Sequence, residues 1–500
     1  MAIRHIADPV HGAIDLDDVE FDIIDTPTFQ RLRRIKQLAM VSQVYPGADH
    51  SRFVHSLGVF SVMARILHRL QELHPDLVKD DDVRKLRLAA LLHDVGHYPY
   101  SHLMERVKLP GAGGGDFQAA VKAKPGRPHA EATQAHFPTH EELGAMIVEK
   151  RQDIVSVLRA HNYEPAEIAS IVTHRHHCGF YNQLSSRGLD ADRIDYMLRD
   201  AHYTGVPYGG IDIEYILRNI DFDEDQNICI TSKAILSTEH FLLGRWYNYG
   251  AVVFQKTVMG MEELMRRLLE RMVKRRKLPR DPETIQQMVP TDSFLTFDDH
   301  YVDAKIRSLA SKGVRAAGKD GRTGATDTLL AQAVLHRVKP RCVFEGFQEP
   351  GSDRVTRELE VFDGQVPKQL EEWANRFQVP RECWFLADST PRYLEEVRRY
   401  GTFTDELEDL EGPGKDRARK IQKLMRVRQP DGSSAFLADW PSGLVHYLSK
   451  AIFRVARVYV LLPDEVAAAQ APPAKAGWRR QFKQQAEAIR DHILKDLRLS

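Results

Sequence analysis

The chain has 500 residues, 43% hydrophobic and 28% charged, and no stretch nears the roughly 18 charge-free apolar residues that span a bilayer; whole-chain disorder and membrane insertion are excluded as readings. Seventy Lys+Arg balance seventy Asp+Glu, so no mean field draws nucleic acid or anionic lipid, and any polyanion has to meet a local cluster of cations. Cys178, Cys229, Cys342 and Cys383 stand far apart with no CxxC pair, and Met1–Pro9 reaches charge and proline too soon for a signal peptide, so a reduced chain in the cytoplasm is expected.

From Phe29 to about Leu103 apolar residues recur at helical spacing. Leu57, Val62, Ile66 and Leu70 form one stripe, and Leu86, Ala89 and Ala90 begin another that runs into His93-Asp94. A Gly/Ala/Pro-rich stretch from Leu109 to Pro138 has too little apolar content to pack and reads as a mobile insertion. Helical periodicity returns over 140–158, 165–173 and 191–200, and through a long segment from Thr238 to about Arg275. Beyond it, β-rich runs at Arg341–Glu345, Cys383–Leu386 and Arg457–Leu462 alternate with helical stretches. Gly313–Thr326 reads as a loop, Ala467–Gly477 as a linker and Trp478–Leu497 as a last amphipathic helix. The expectation is a mainly α fold: a helical core over 1–275, a smaller α+β C-terminal lobe over 276–466, and linker plus terminal helix over 467–500.

The chemistry concentrates in the helical half. His55 lies in Arg52-Phe53-Val54-His55, His93-Asp94 follows an apolar run and precedes Val95-Gly96-His97, and Asp192 lies in Asp190-Ala191-Asp192-Arg193. Imidazoles with carboxylates suit a borderline divalent ion such as Mn, Fe, Co, Ni or Zn. A carboxylate in the apolar setting of Leu91-Leu92-His93-Asp94 needs a partner or a metal to be tolerated. Each histidine alone reads first as a hydrogen-bonded core or surface residue; the joint pattern does not.

That pattern, His55, then His93-Asp94, then Asp192, resembles the H…HD…D signature of the HD superfamily of metal-dependent phosphohydrolases. The flanking strings Asp8-Pro9-Val10-His11-Gly12, Asp25-Thr26-Pro27-Thr28-Phe29-Gln30-Arg31-Leu32-Arg33, Lys36-Gln37-Leu38, Tyr45-Pro46-Gly47-Ala48 and Asp195-Tyr196-Met197-Leu198-Arg199-Asp200 resemble its deoxynucleoside triphosphate triphosphohydrolase (dNTPase) branch. The similarity is dense over residues 4–105 and 189–260 and diffuse beyond. It implies an HD domain over 1–275 and hydrolysis of dNTPs to deoxynucleoside and inorganic triphosphate. The rivals are another HD activity, on monophosphates or phosphodiesters, and a nucleotide-sensing binding protein.

The resemblance implies a divalent metal (Mn, Fe, Mg, Co, Ni or Zn) on His55, His93, Asp94 and Asp192. Arg52, at i,i+3 from His55, becomes a phosphate ligand. His97, His102 and His140 are placed over the phosphate and the departing oxygen, with His102 favoured as general acid. Asp192, Tyr196 and Asp200 share one helix face. Arg193 contacts phosphate, Tyr196 stacks on the sugar and selects deoxyribose, Asp200 and Gln37 meet the 3′-OH, and Arg245 and Lys256 reach the triphosphate. Together with the metal these cations offset the roughly −4 charge of a nucleoside triphosphate. Asp25, Gln30 and Arg33 match a guanine-recognising regulatory site for a GTP or dNTP activator, although Ala7 stands where an amide side chain is expected; the plain alternative is that Asp25 caps a helix at Thr26-Pro27. A homo-oligomer of four or six chains is expected, with no membrane partner and nucleic acid not favoured.

Other signals are weaker. Gly313–Asp320 has P-loop spacing but Asp320 in place of Ser/Thr, and His140-Glu141-Glu142-Leu143-Gly144 lacks the second histidine of a zinc protease. His174, His176, His177 and Cys178 crowd one segment without a partner pair. The basic Lys415–Arg428, after the acidic Asp405–Glu411, reads as a solvated, charge-patterned helix or a subunit contact ahead of nucleic-acid binding, and the terminal helix reads the same way.

Overall fold

The computed structural model describes residues 4–109, 137–176, 180–181, 190–311, 321–348, 355–389, 425–437, 440, 443–444, 454–470 and 477–499. The insertion over 110–136, Gly313–Asp320, His177-Cys178, Asp405–Glu411 and most of Lys415–Arg428 lie outside these residues.

An antiparallel hairpin, β1 (Arg4–Asp8) with β2 (Gly12–Leu16), opens the chain and leads into α1 (Asp18–Ile24). Asp17 and Glu20 cap α1 reciprocally. Single turns follow at Pro27–Gln30, Arg31–Arg34 and Ala39–Gln43 before α2 (Arg52–Leu73) and α3 (Asp80–Leu92). The apolar stripe foreseen for α2 is buried, with Leu57, Val62, Ile66 and Leu70 all at the core. The unbroken helical character expected from Phe29 is corrected here: Ile35 and the 44–51 segment are extended or turning, and only Arg52 onward is one long helix.

After α3 the chain turns through Asp94–Ser101 into α4 (His102–Glu105). The helix expected over 140–158 is two, α5 (His140–Lys150) and α6 (Gln152–Ala160), broken at Arg151, whose extended backbone frees its guanidinium for Thr28 and the carbonyls of Val289 and Thr291. Next come α7 (Pro165–Val172) and α8 (Ala191–Thr204). The long segment from Thr238 divides as well. Helix α9 (Ile235–Asn248) loosens into a wide turn over Tyr249–Val253, and Gln255 caps a new helix, α10 (Lys256–Lys274), by accepting from the amides of Thr257 and Val258.

The later part alternates as expected. Helices α11 (Asp299–Ala310) and α12 (Gly321–Leu335) precede a three-stranded antiparallel sheet in which β9 (Val455–Val460), buried along its length, lies between β5 (Arg341–Phe347) and β6 (Trp384–Asp388). Helix α12 takes in Gly321–Thr326, part of the expected loop. A four-stranded sheet crosses the sequence midpoint: β3 (Ile220–Phe222), β4 (Ile228–Thr231), β7 (Arg426–Arg428) and β8 (Ser434–Phe436), with β4 and β7 parallel. Arg426–Arg428, expected as helix, is therefore strand. The terminal helix α13 (Trp478–Asp496) forms where amphipathicity placed it. The fold is mainly α, and one continuous apolar core runs from Ile14 to Leu497 through the fully buried face of α10.

Two glycines set the approach of the helices that carry the chemistry. A Cβ on Gly58 of α2 would lie 1.8 Å from Asp195 Oδ1 of α8, and one on Gly96 would lie 2.1 Å from the His140 carbonyl oxygen. Gly58→Ala is expected to cost about 1–3 kcal/mol by overpacking, read from denaturant unfolding, and to lower bound metal along with stability. Unchanged stability and metal content would contradict this packing argument.

Candidate metal centre

Four side chains converge where α2, α3 and α8 meet. His55, fully buried on α2, has Nε2 3.0 Å from Asp192 Oδ1 and 3.6 Å from Asp94 Oδ2. His93 Nε2 lies 3.3 Å from Asp94 Oδ1. Neither Nε2 has hydrogen-bonding alignment with these carboxylates, although both are buried. The ligand atoms of His55, His93 and Asp94 lie within 4.8 Å of one another. Acceptors facing one point without a donor between them are the signature of a cation site.

The tautomers agree. His55 Nδ1 donates to Asp195 Oδ2 at 2.7 Å and His93 Nδ1 donates to the Ala90 carbonyl at 2.8 Å, so each neutral ring turns its Nε2 lone pair toward the centre. Burial opposes charge on His55, yet the bonds and charges of Asp192, Asp195 and Asp94 raise it to about 10, a measure of the positive charge these carboxylates demand at the centre. The residues present fit a divalent ion with two imidazole and two carboxylate ligands.

Behind His55 is a buried ionic chain that sequence reasoning did not assign. Asp195 also accepts from His11 Nε2 at 2.6 Å and from Arg199 Nε at 2.9 Å, and Arg199 holds Asp8 through Nη1 at 2.9 Å. Burial opposes the charge of Asp195, but hydrogen bonds from His11 and His55 and the Arg199 guanidinium hold it well below the usual carboxylate range. The available signal was spacing: Asp195 and Arg199 follow Asp192 and Asp195 at i,i+3 and i,i+4, while Asp8 and His11 sit in a string quoted above only for its resemblance.

On the other side of Asp94, Arg52 Nη1 donates to Asp94 Oδ2 at 2.7 Å and Arg52 Nε donates to Ser101 Oγ at 3.0 Å. Burial works against Asp94, yet the charge of Arg52 keeps it well below the carboxylate range. His97 Nε2 stands 3.1 Å from Asp94 Oδ1, and the His97 ring stacks on His140 at 4.2 Å. Glu105, also unassigned from sequence, accepts from His140 Nδ1 at 2.9 Å and from His102 Nδ1 at 3.1 Å. Burial alone would lower His140, but the Glu105 bond and charge raise it to about 9, while burial and Arg52 keep His97 well below its ordinary value. The three expected histidines are thus brought together around a carboxylate three residues after His102, with opposite shifts on His140 and His97.

The remaining expected residues divide. Gln37 and Tyr196 are inward, and Gln37 Oε1 and Tyr196 Oη are buried without a hydrogen-bond partner. Asp200 is buried and accepts from His50 Nε2 at 2.9 Å; His50, a further unassigned residue, stacks on Tyr203 at 4.7 Å. Arg193 bonds Asp190, and Arg245 is buried, close enough for its charge to act on Tyr196 and Asp190. Lys256 is half exposed, and its ammonium pairs with Glu345 of β5 at 3.0 Å. Of the regulatory trio, Gln30 Oε1 accepts from Arg33 Nε at 2.6 Å, Arg33 lies 3.6 Å over the Phe53 ring, and Asp25 ends α1. The cap of the Pro27–Gln30 turn is Thr26, not Asp25, because its hydroxyl accepts from the Phe29 amide.

Residues 52–200 match the family model of the HD domain. The Bacillus subtilis protein YwfO is 35% identical over 267 residues, 53% of this chain and 54% of its own. The human deoxynucleoside triphosphate triphosphohydrolase SAMHD1 is 30% identical over 263 residues, 47% of this chain and 39% of its own. The chain thus spans about half or less of the length of these relatives. A crystal structure of a phosphohydrolase from Bacteroides thetaiotaomicron superposes with a TM-score of 0.64 at 22% identity, covering 92% of this chain and all of that one, which shows a shared fold. Residues 52–200 are thus an HD domain, the domain of the metal-dependent phosphohydrolase superfamily.

Asp195→Asn removes the charge that orients His55. Metal affinity is expected to fall about 10- to 100-fold, measured by competition with a chelating dye, with the helical circular dichroism retained. Affinity equal to that of the wild type would refute the orienting role.

Proposed function

We propose that this protein hydrolyses deoxynucleoside triphosphates to deoxynucleoside and inorganic triphosphate. The observation that carries the reading is the pairing of a His/Asp cation site with two buried, unpartnered polar atoms: Tyr196 Oη, on the helix that bears Asp192, and Gln37 Oε1, of a residue whose carbonyl accepts from Arg52. A site that leaves such atoms unpaired loses stability unless a polar ligand completes it. The SAMHD1 relatives bear the name of this activity.

His55, His93, Asp94 and Asp192 would hold a divalent ion, which would supply Lewis acidity and activate water for attack on phosphate. The chain does the rest. Arg52, fixed between Asp94 and Ser101, presents its guanidinium to phosphate oxygens. His140, kept protonated by Glu105, adds positive charge on the phosphate side, and half-exposed His102, on the same carboxylate, takes up a proton from solvent and passes it to the departing 5′-oxygen. Tyr196 meets the deoxyribose face, and Gln37 and Asp200 take the 3′-OH. Arg193, Arg245 and Lys256 serve the triphosphate tail, Lys256 by leaving Glu345. Asp25, Gln30 and Arg33 receive a guanine-bearing activator, and the protein works as a homo-oligomer in the cytoplasm.

The test is to incubate metal-replete protein with each dNTP, with and without GTP, and to resolve products by anion exchange. Triphosphate release that is abolished in Asp94→Ala is expected; stimulation by GTP lost in Arg33→Ala supports the activator site. Release of orthophosphate from monophosphates, cleavage of phosphodiesters, or nucleotide binding without turnover would each replace this reading with a rival.

The charge state of His140 sets a pH limit. Its pKa is raised to about 9, so the protonated ring persists at neutral pH and is lost as pH rises through about 9. Glu105→Gln removes the raising interaction and is expected to move the alkaline limb of kcat toward neutrality, measured as a pH–rate profile with metal saturating. An unmoved limb would dissociate His140 from turnover.

A further inference from the structure

Residues far beyond the matched HD domain, which ends at residue 200, reach back toward the centre. Asp299, the first residue of α11, is 4% exposed. Its two carboxylate oxygens go to different segments: Oδ1 accepts from the Tyr100 amide at 2.7 Å and Oδ2 from the Lys36 amide at 3.0 Å. Lys36 directly precedes Gln37. Tyr100 leads through Ser101 to His102, and Tyr100 and Ser101 both lie in the left-handed region, at φ 58 and 53, where L residues are strained. Ser101 Oγ completes the junction by donating to the Lys36 carbonyl at 2.7 Å and accepting from Arg52.

The same stretch holds the other end of this turn. Fully buried Arg31 donates through Nε to the Phe297 carbonyl at 2.9 Å and through Nη2 to the His97 carbonyl at 2.7 Å, with its guanidinium 4.3 Å over the Phe294 ring. The helix itself does not need Asp299. Asp298 already caps α11 by accepting from the Tyr301 amide at 3.1 Å. A carboxylate buried deeply enough to be raised to about 6 in spite of two amide donors is a costly way to fasten a loop, and what it uniquely supplies is one acceptor for each of two segments.

We infer that Asp299 is a positioning residue for hydrolysis: by binding the Lys36 and Tyr100 amides at once it fixes the distance between Gln37, on the sugar side, and His102, on the leaving-group side. This rests on the roles given to Gln37 and His102 above. It makes α11, outside the matched domain, part of the working site.

Asp299→Asn in the full-length, metal-loaded protein is nearly isosteric but turns one acceptor into a donor, so only one segment stays tied. Hydrogen–deuterium exchange is expected to accelerate about tenfold or more at Lys36 or Tyr100 in the variant. The variant's kcat should fall about 10- to 100-fold while KM and metal content stay within about threefold of the wild type. Asp298→Ala, which removes the helix cap, should lower the melting temperature without that kcat loss. Unchanged exchange at both amides overturns the inference whatever the substrate. So does an unchanged kcat despite faster exchange, or an equal kcat loss in Asp298→Ala. Absence of dNTP turnover in the wild type would instead fail the dNTPase reading, and the kcat–KM comparison would then use the phosphoester the wild type does cleave, with exchange at Lys36 and Tyr100 deciding the tie.

Discussion

The site depends on one buried carboxylate. Asp195 contributes no atom to the converging ligand set, yet it takes the Nδ1 proton of His55 and so decides which nitrogen of that ring is free. Its own charge persists out of water only because His11 and Arg199 also donate to it, and Arg199 is in turn neutralised by Asp8. A buried ionic chain of this kind gives little net stability, since desolvation offsets its attraction, but removing one member leaves the others uncompensated. Its value here is directional. It joins the N-terminal hairpin to α8 and points one imidazole.

From that point the centre is ordered by charge. Asp94 sits between the cation site and Arg52, and Arg52 in turn reaches Ser101 and the carbonyl of Gln37. Glu105 sets a second pole, holding one proton on His140 while His97 stays neutral against it. Three histidines in one small volume would repel if all were charged; Glu105 favours charge on His140, while burial and Arg52 disfavour it on His97. The close helix crossings at Gly58 and Gly96 make these distances attainable, because a methyl group at either position would occupy the space of a functional neighbour.

Much of this was legible in the sequence because it is local. An apolar run ending in His93-Asp94 exposes a carboxylate that needs a cation, and the i, i+4, i+8 spacing of Asp192, Tyr196 and Asp200 survives as one face of α8. The β-rich runs at Arg341, Trp384 and Arg457 pair as a sheet. What escaped was long-range or broke a local rule. Asp195 meets His55 across 140 residues and Arg31 meets Phe297 across 266, so no periodicity announces either. The division of Thr238–Arg275 escaped because apolar spacing continues through it, while the stop is made by the Gln255 side chain. Arg426–Arg428 became strand because β4 offers a parallel edge, a tertiary choice that overrides its charged local pattern.

The central claim is that His55, His93, Asp94 and Asp192 hold one divalent ion with His55 oriented by Asp195. Anomalous diffraction from crystals of the manganese-loaded protein tests it most directly. The account predicts a single strong peak within about 2.0–2.4 Å of His55 Nε2, His93 Nε2 and an oxygen of each aspartate, with the His55–Asp195 contact kept. A peak that omits His55 or Asp192, or ordered metal only elsewhere in the molecule, would contradict it.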